Sequence, residues 1–250
     1  MLEKSFIFLP GVGELTERKI WEDGIDDWDR FLESKKAGPM QGVRKEKCDH
    51  ILIVSRKKLR EMDLGYFSSL MKSTETWRLW DDFGDGAVFL DIETMGTSRF
   101  HPITVIGAWD RKEFRALVRG KDLNGDSIKE LLKDATMLVT FNGRAFDVPM
   151  IESKFPGTVP RVPHLDLRFL GSRCGHRGGL KALEISLGLA RPDDVKGMSG
   201  EDAVRLWHIY EKDGNRNALK LLLKYNMEDV VNLVPITEEL IGEMKMKVMK

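Results

Sequence analysis

Downstream of Ala87, short apolar runs alternate with polar breaks. AVFLDIE ends in two acids, and ITVIGAW and EFRALV follow it, separated from each other only by Asp110, Arg111 and Lys112. Such runs read as buried strands, and the brief gap predicts a hairpin, so three antiparallel strands. Ser127 to Lys133 has helical spacing, ATMLVTF reads as a fourth strand, and Phe146 to Ser153 reads as a helix with Pro149 in its first turn. RVPHLDL is the fifth predicted strand. Beyond Gly179 the pattern is helical: GLKALEISLGL, SGEDAVRLWHIYEK, and a run from Asn217 into the last helix, with Gly188 and Gly214 as stops.

The preceding 80 or so residues predict short helices and turns. Trp21, Trp28, Trp77 and Trp80 supply large rings for a small core. Basic clusters, Arg44 to Lys47 and Arg56 to Arg60, flank the apolar stretch Ile51 to Val54. The polar, glycine-bearing break from Asp81 to Gly86 marks a boundary, giving a small helical N-terminal domain over 1–84 and a second domain over 85–250. LPGVGELTERKIWEDGI resembles the second half of a helix-hairpin-helix motif, whose turn can aim backbone N–H groups at a phosphate. Only nine residues precede Pro10, so a purely structural turn competes with that reading, and the tryptophans could equally mediate protein contacts.

Composition narrows the field little. The chain has 250 residues, 42% hydrophobic and 32% charged, with 40 basic and 40 acidic side chains. A balanced charge argues against a uniformly positive surface but leaves local patches open. Cys48 and Cys174 stand far apart with no metal-ligand spacing. The start MLEKSFIFLP is too short in apolar length for a signal peptide, and no stretch approaches the roughly 20 apolar residues of a membrane helix. The expectation is a cytoplasmic protein without a membrane partner.

Three acidic segments carry the candidate chemistry. Asp91 and Glu93, one residue apart on a strand end, share a face and repel unless a cation neutralises them. Asp147 closes the sequence NGRAFD after the fourth strand, in the first turn of the following helix. Tyr225 and Asp229 are four residues apart on a helix and so share its face. Each piece alone has an ordinary reading: a solvated strand end, a helix-start acid, an amphipathic helix.

Together, in this order and on these elements, the segments resemble the DEDD (DnaQ-like) 3′–5′ exonuclease superfamily in its tyrosine-bearing branch. The histidine branch would need His where Lys224 stands. GLKALEISLGLARP and MSGEDAVRLWHIYEKDGNRNALKLLLKYNMEDVVNL are similar to the YprB-like ribonuclease-H-like group, over about residues 87 to 240. Motif I reads LDIETMG where DxETTG is common, so Met95 departs at a position without a carboxylate. The order of elements is likewise ribonuclease-H-like: an α/β fold with a mixed five-stranded sheet and helices on both faces. The resemblance implies a hydrolase using two Mg²⁺ or Mn²⁺ ions held by Asp91, Glu93, Asp147 and Asp229, with Tyr225 orienting the attacking water.

Hard oxygen donors without a Cys/His cluster fit those ions. The substrate would be the 3′ end of single-stranded DNA or RNA. Asn142 and Phe146 in the NGRAFD segment and Arg173, Arg177 and Lys181 in a basic stretch are the candidate nucleic-acid contacts. That stretch includes GSRCGHRGG, expected to be a flexible loop beside the site. Asp166 is a rival acid, read as a supporting or helix-start residue; His164 and His176 read as ordinary, His176 being a candidate phosphate contact. The alternatives are a structure-selective endonuclease on the same fold and a nucleic-acid-binding module without turnover.

Overall fold

The computed structural model describes residues 1–98 and 100–249. It divides into two compact units, one formed by Met1–Asp85 with the terminal residues from Lys245, the other by Gly86–Met244.

The first unit contains α1 (Glu14–Glu22), α2 (Trp28–Glu33), a small hairpin of β1 (Lys36–Ala37) and β2 (Met40–Gln41), α3 (Val43–Arg60), α4 (Leu64–Leu70) and α5 (Trp80–Phe83). Asp27 and Asp63 cap α2 and α4 by accepting from the Arg30 and Tyr66 N–H groups. Trp28 and Trp77 are fully buried, and Phe6 stacks on Phe31 at 5.1 Å. Arg78, also fully buried, bonds Glu17 and Glu75 at 2.8 Å each, while Glu17 accepts from the Phe6 and Ile7 N–H groups. Where short helices were expected, both basic clusters and the apolar stretch between them lie on the single 18-residue α3. No Gly or Pro interrupts 43–60, so nothing breaks the helix. Ahead of the LPGVG turn stands only one 3₁₀ turn, Leu2–Lys4; Gly11 adopts φ 71° and its carbonyl accepts from Arg44.

The second unit follows the order β3 (Ala87–Thr94), β4 (Ile103–Trp109), β5 (Phe114–Val118), α6 (Gly125–Leu132), β6 (Met137–Thr140), α7 (Asp147–Lys154), β7 (His164–Asp166), α8 (Leu167–Cys174), α9 (Leu180–Ser186), α10 (Gly200–Asp213) and α11 (Arg216–Val248). The sheet order is β5-β4-β3-β6-β7. The β3, β4 and β5 strands are antiparallel, and β6 and β7 join β3 in parallel. This is the mixed five-stranded sheet the apolar runs predict. Residue alternation on β3 divides its two faces. Val88, Leu90 and Ile92 pack with Ile128, Leu131 and Ile151 of α6 and α7. Asp91 and Glu93 take the opposite face, where Val105, Trp207, Leu222 and Tyr225 form a second core.

Two helices differ from expectation. The C-terminal run is one 33-residue helix that continues through Pro235. Gly171 to Cys174, expected in a flexible loop, belong to α8. Asp166 starts that helix by accepting the Arg168 N–H, and Gly175, at φ 105°, ends it in the left-handed region. Only Gly175 to Gly179 remain as loop. Among the described residues, no helix is long and apolar enough to cross a membrane.

Candidate active site

Asp91 and Glu93 stand near the C-terminal end of β3, opposite Gly107 and Val105 of β4. Asp229 reaches the same place from α11, and one carboxylate oxygen from each of the three lies within 4.8 Å of the others. Asp147, 3% exposed at the start of α7, comes in from the other side of β3 and accepts from the Ile92 N–H at 3.1 Å. It thus grips the backbone between Asp91 and Glu93.

So many buried acids perturb one another. Burial, followed by the charges of Asp229, Asp147 and Glu93, pushes the Asp91 carboxyl well above the usual range. Burial and Asp229 do the same to Glu93. Burial raises Asp147 to about 7. Asp229 rises only to about 6, because burial is opposed by the guanidinium of Arg191. The Tyr225 ring is buried on α11 one turn before Asp229; burial and the charges of Asp229 and Glu93 raise its phenol well above the ordinary value. At neutral pH that hydroxyl is a donor.

Four participants were not singled out in the sequence. Asn226 is fully buried and donates Nδ2 to Asp91 Oδ2 at 2.8 Å. It fits because position 107 has no side chain: a Cβ there would come within 1.7 Å of Asn226 Oδ1. Arg191, in the α9–α10 connection, donates Nη2 to Asp229 Oδ1 at 2.5 Å and is also held by Glu184 of α9. The signal available was the position of Asn226 beside Tyr225 in YNMED. Nothing in the local pattern around Glu184, Arg191 or Gly107 distinguished them.

The candidate nucleic-acid contacts separate into several environments. Asn142, at φ 67°, accepts from Arg168 Nη1 at 2.8 Å. It shares a groove of about 630 Å³ with Phe141, Arg168, Ser172, His176 and Arg177. Lys181 instead faces the acids, with Nζ 5.4 Å from the Tyr225 ring centre. Phe146 is half-buried and packs against the apolar core of α6 and α7. Arg173 lies within α8, half-buried.

Asp166 accepts the N–H groups of Asn142 at 2.8 Å, Arg144 at 3.0 Å and Arg168 at 3.1 Å, tying the NGRAFD turn to the start of α8. His164 bonds Thr140 Oγ1 at 2.8 Å, and burial lowers it to about 4. His176 is engaged by Glu243 at 3.0 Å.

The solved structure of Escherichia coli RNase D, described as an exoribonuclease involved in structured RNA processing, is similar to this chain at 17% identity and a TM-score of 0.47. The likeness covers 68% of this chain and 43% of that one. No curated protein matches the chain. A family model of the RNase_H superfamily matches residues 88–241, more than half of the chain, from Val88 in the first strand of the sheet past Asp229. By that match, over a sheet of the order described above, the chain belongs to the RNase_H superfamily.

Proposed function

We propose that this chain is a metal-dependent 3′–5′ exonuclease that hydrolyses phosphodiester bonds at single-stranded nucleic-acid 3′ ends. The observation that carries the reading is the approach of Asp91, Glu93 and Asp229, from β3 and α11, to within 4.8 Å of one another. Buried acids at that spacing repel one another unless a proton or a cation neutralises them, and the donor set, carboxylate oxygens alone, fits a hard cation. Asp91, Glu93, Asp147 and Asp229 would hold two Mg²⁺ or Mn²⁺ ions. Bound there, such ions make a coordinated water nucleophilic at neutral pH and neutralise charge on the scissile phosphate.

The rest falls to the protein. Asn226 fixes the Asp91 carboxylate, and the Ile92 N–H fixes Asp147. Tyr225, protonated at neutral pH, orients the attacking water by donating a hydrogen bond, and is too weak an acid to serve as a base itself. The tyrosine-bearing DEDD assignment rests on this residue and its one-turn spacing from Asp229.

The sheet register supports a path for the substrate. Phe89 pairs with Val139 in parallel, so by continuation Phe141 leaves β6 beside Asp91. Phe141 lines the groove with Arg168 and Arg177, an aromatic face next to two cations, which suits the bases and phosphates of a single strand.

A 5′-labelled oligonucleotide incubated with Mg²⁺ or Mn²⁺, as DNA and as RNA, tests the reading. A ladder shortening from the 3′ end is expected. Internal products would mean an endonuclease, and a strand bound but uncut would mean a binding module.

A further inference from the structure

Arg191 is the feature that the proposed chemistry does not require. Its side chain is only 6% exposed, and its guanidinium is the one cation among the described residues that forms an ion pair with a carboxylate of the acidic trio. It cannot readily swing away. Glu184, buried at 3% exposure, accepts from Nε at 2.9 Å and from Nη2 at 2.7 Å. Glu184 is anchored in turn by Asn232 Nδ2 at 2.8 Å. The same guanidinium lies over the Tyr225 ring, 5.5 Å from its centre. One fixed cation thus touches the motif acid and the motif tyrosine together.

We propose that Arg191 is a built-in countercharge that sets the metal affinity of the site and a positioning residue for Asp229 and Tyr225. This rests on the metal-dependent reading above. The Glu184–Arg191 clamp occupies Asp229 Oδ1, which leaves Oδ2 as the oxygen free to ligate. Any divalent cation sharing Asp229 with Arg191 stands beside a positive charge in a buried site. Coulomb repulsion there is weakly screened and outweighs the small gain from holding one carboxylate still. The arginine therefore weakens metal binding while improving the geometry in which bound metal works. It also lets the acids remain folded together before a metal arrives.

The test is Mn²⁺ binding by isothermal titration calorimetry on the full chain without nucleic acid, with turnover measured in parallel. Arg191→Met is expected to bind Mn²⁺ about tenfold more tightly or better and to turn over more slowly at saturating metal. Arg191→Lys keeps the charge but cannot bridge both carboxylates with a planar fork. It is expected to bind Mn²⁺ like the wild type and to lose turnover. Should Arg191→Met fail to fold, Arg191→Gln removes the charge while keeping an amide donor for Glu184, and the same tightening is expected.

Mn²⁺ affinity unchanged or weaker in the neutral variants, with the wild type binding normally, overturns the proposal and leaves Arg191 a structural residue. A wild-type protein that binds no Mn²⁺ overturns the metal centre itself, and this proposal with it.

Discussion

Individual side chains at the acidic edge work against the stability of the protein that holds them. Asp91, Glu93 and Asp229 crowd together, and all three have raised carboxyl pKa values. An Asp91→Asn variant is therefore expected to lose turnover by at least about a hundredfold. Its melting temperature at pH 8 in EDTA should rise above wild type, because a repelling charge is gone while the Asn226 contact keeps an acceptor. Asn226 itself depends on an absent side chain. Gly107→Ala drives a methyl group into the space of Asn226 Oδ1. A loss of about 1–3 kcal/mol in urea unfolding is expected, with turnover falling as Asp91 loses its partner. Wild-type activity in that variant would remove Asn226 from the site.

Whole elements decide how the substrate would be approached. The basic stretch expected to be mobile is half helix, since Asp166 starts α8 and Gly175 stops it. Asp166 receives three backbone N–H groups from two segments, which makes it a joint between the NGRAFD turn and α8. Its replacement by alanine leaves those donors unmatched, at about 1–3 kcal/mol for each one that stays buried. Urea unfolding should show a loss of at least about 2 kcal/mol on that basis. If Asp166 were instead a ligand only, stability would hold and activity alone would fall.

The groove beside α8 is lined by Arg168 and Arg177 together with Phe141. Arg177→Ala should raise KM and lower the slope of log KM against log salt by about 1. A slope identical to wild type would make Arg177 a surface charge. The candidate contacts Arg173, Arg177 and Lys181 stand in three settings: Arg177 lines the groove, Lys181 lies over the Tyr225 ring, and Arg173 is part of α8.

For the molecule as a whole, the acids link folding to pH. Asp147 is raised to about 7 and Asp229 to about 6, so both bind protons more tightly folded than unfolded. Stability from such groups is present in full below the unfolded carboxyl pKa and fades as pH rises through the folded values. The metal-free protein should lose stability from about pH 4 to pH 7, on the order of a few kcal/mol. Saturating Mn²⁺ should flatten the profile, because a bound cation favours the charged acids. Melting curves in EDTA and in Mn²⁺ across this range check both; a metal-free profile that rises through the same window contradicts the burial of the acids.

Much of this architecture was legible along the chain. The inner strands β3, β4 and β6 appear as mostly apolar runs, because a strand buried on both faces must be apolar along most of its length. The half-buried edge strand β5 keeps Arg115 and was legible from its short gap to β4. The three acidic segments were legible because each placed a charge at the end or on one face of an element whose period is known. The long α3 was obscured by its charges, and α8 by its glycines, since a local pattern does not reveal which glycine stops a helix and which is packed inside one.

The partners of the acids were beyond such reading. Asn226 lies 135 residues from Asp91, and Arg191 lies 38 from Asp229. Strand and helix periods follow from local backbone geometry, which the chain carries at every residue. A countercharge, or a missing Cβ that admits an amide, has meaning only when packing brings distant segments within a few ångströms. The amino-acid order alone therefore determined the strands, most of the helices and the candidate acids. Folding determined which oxygens point at one another and which cation stands between them.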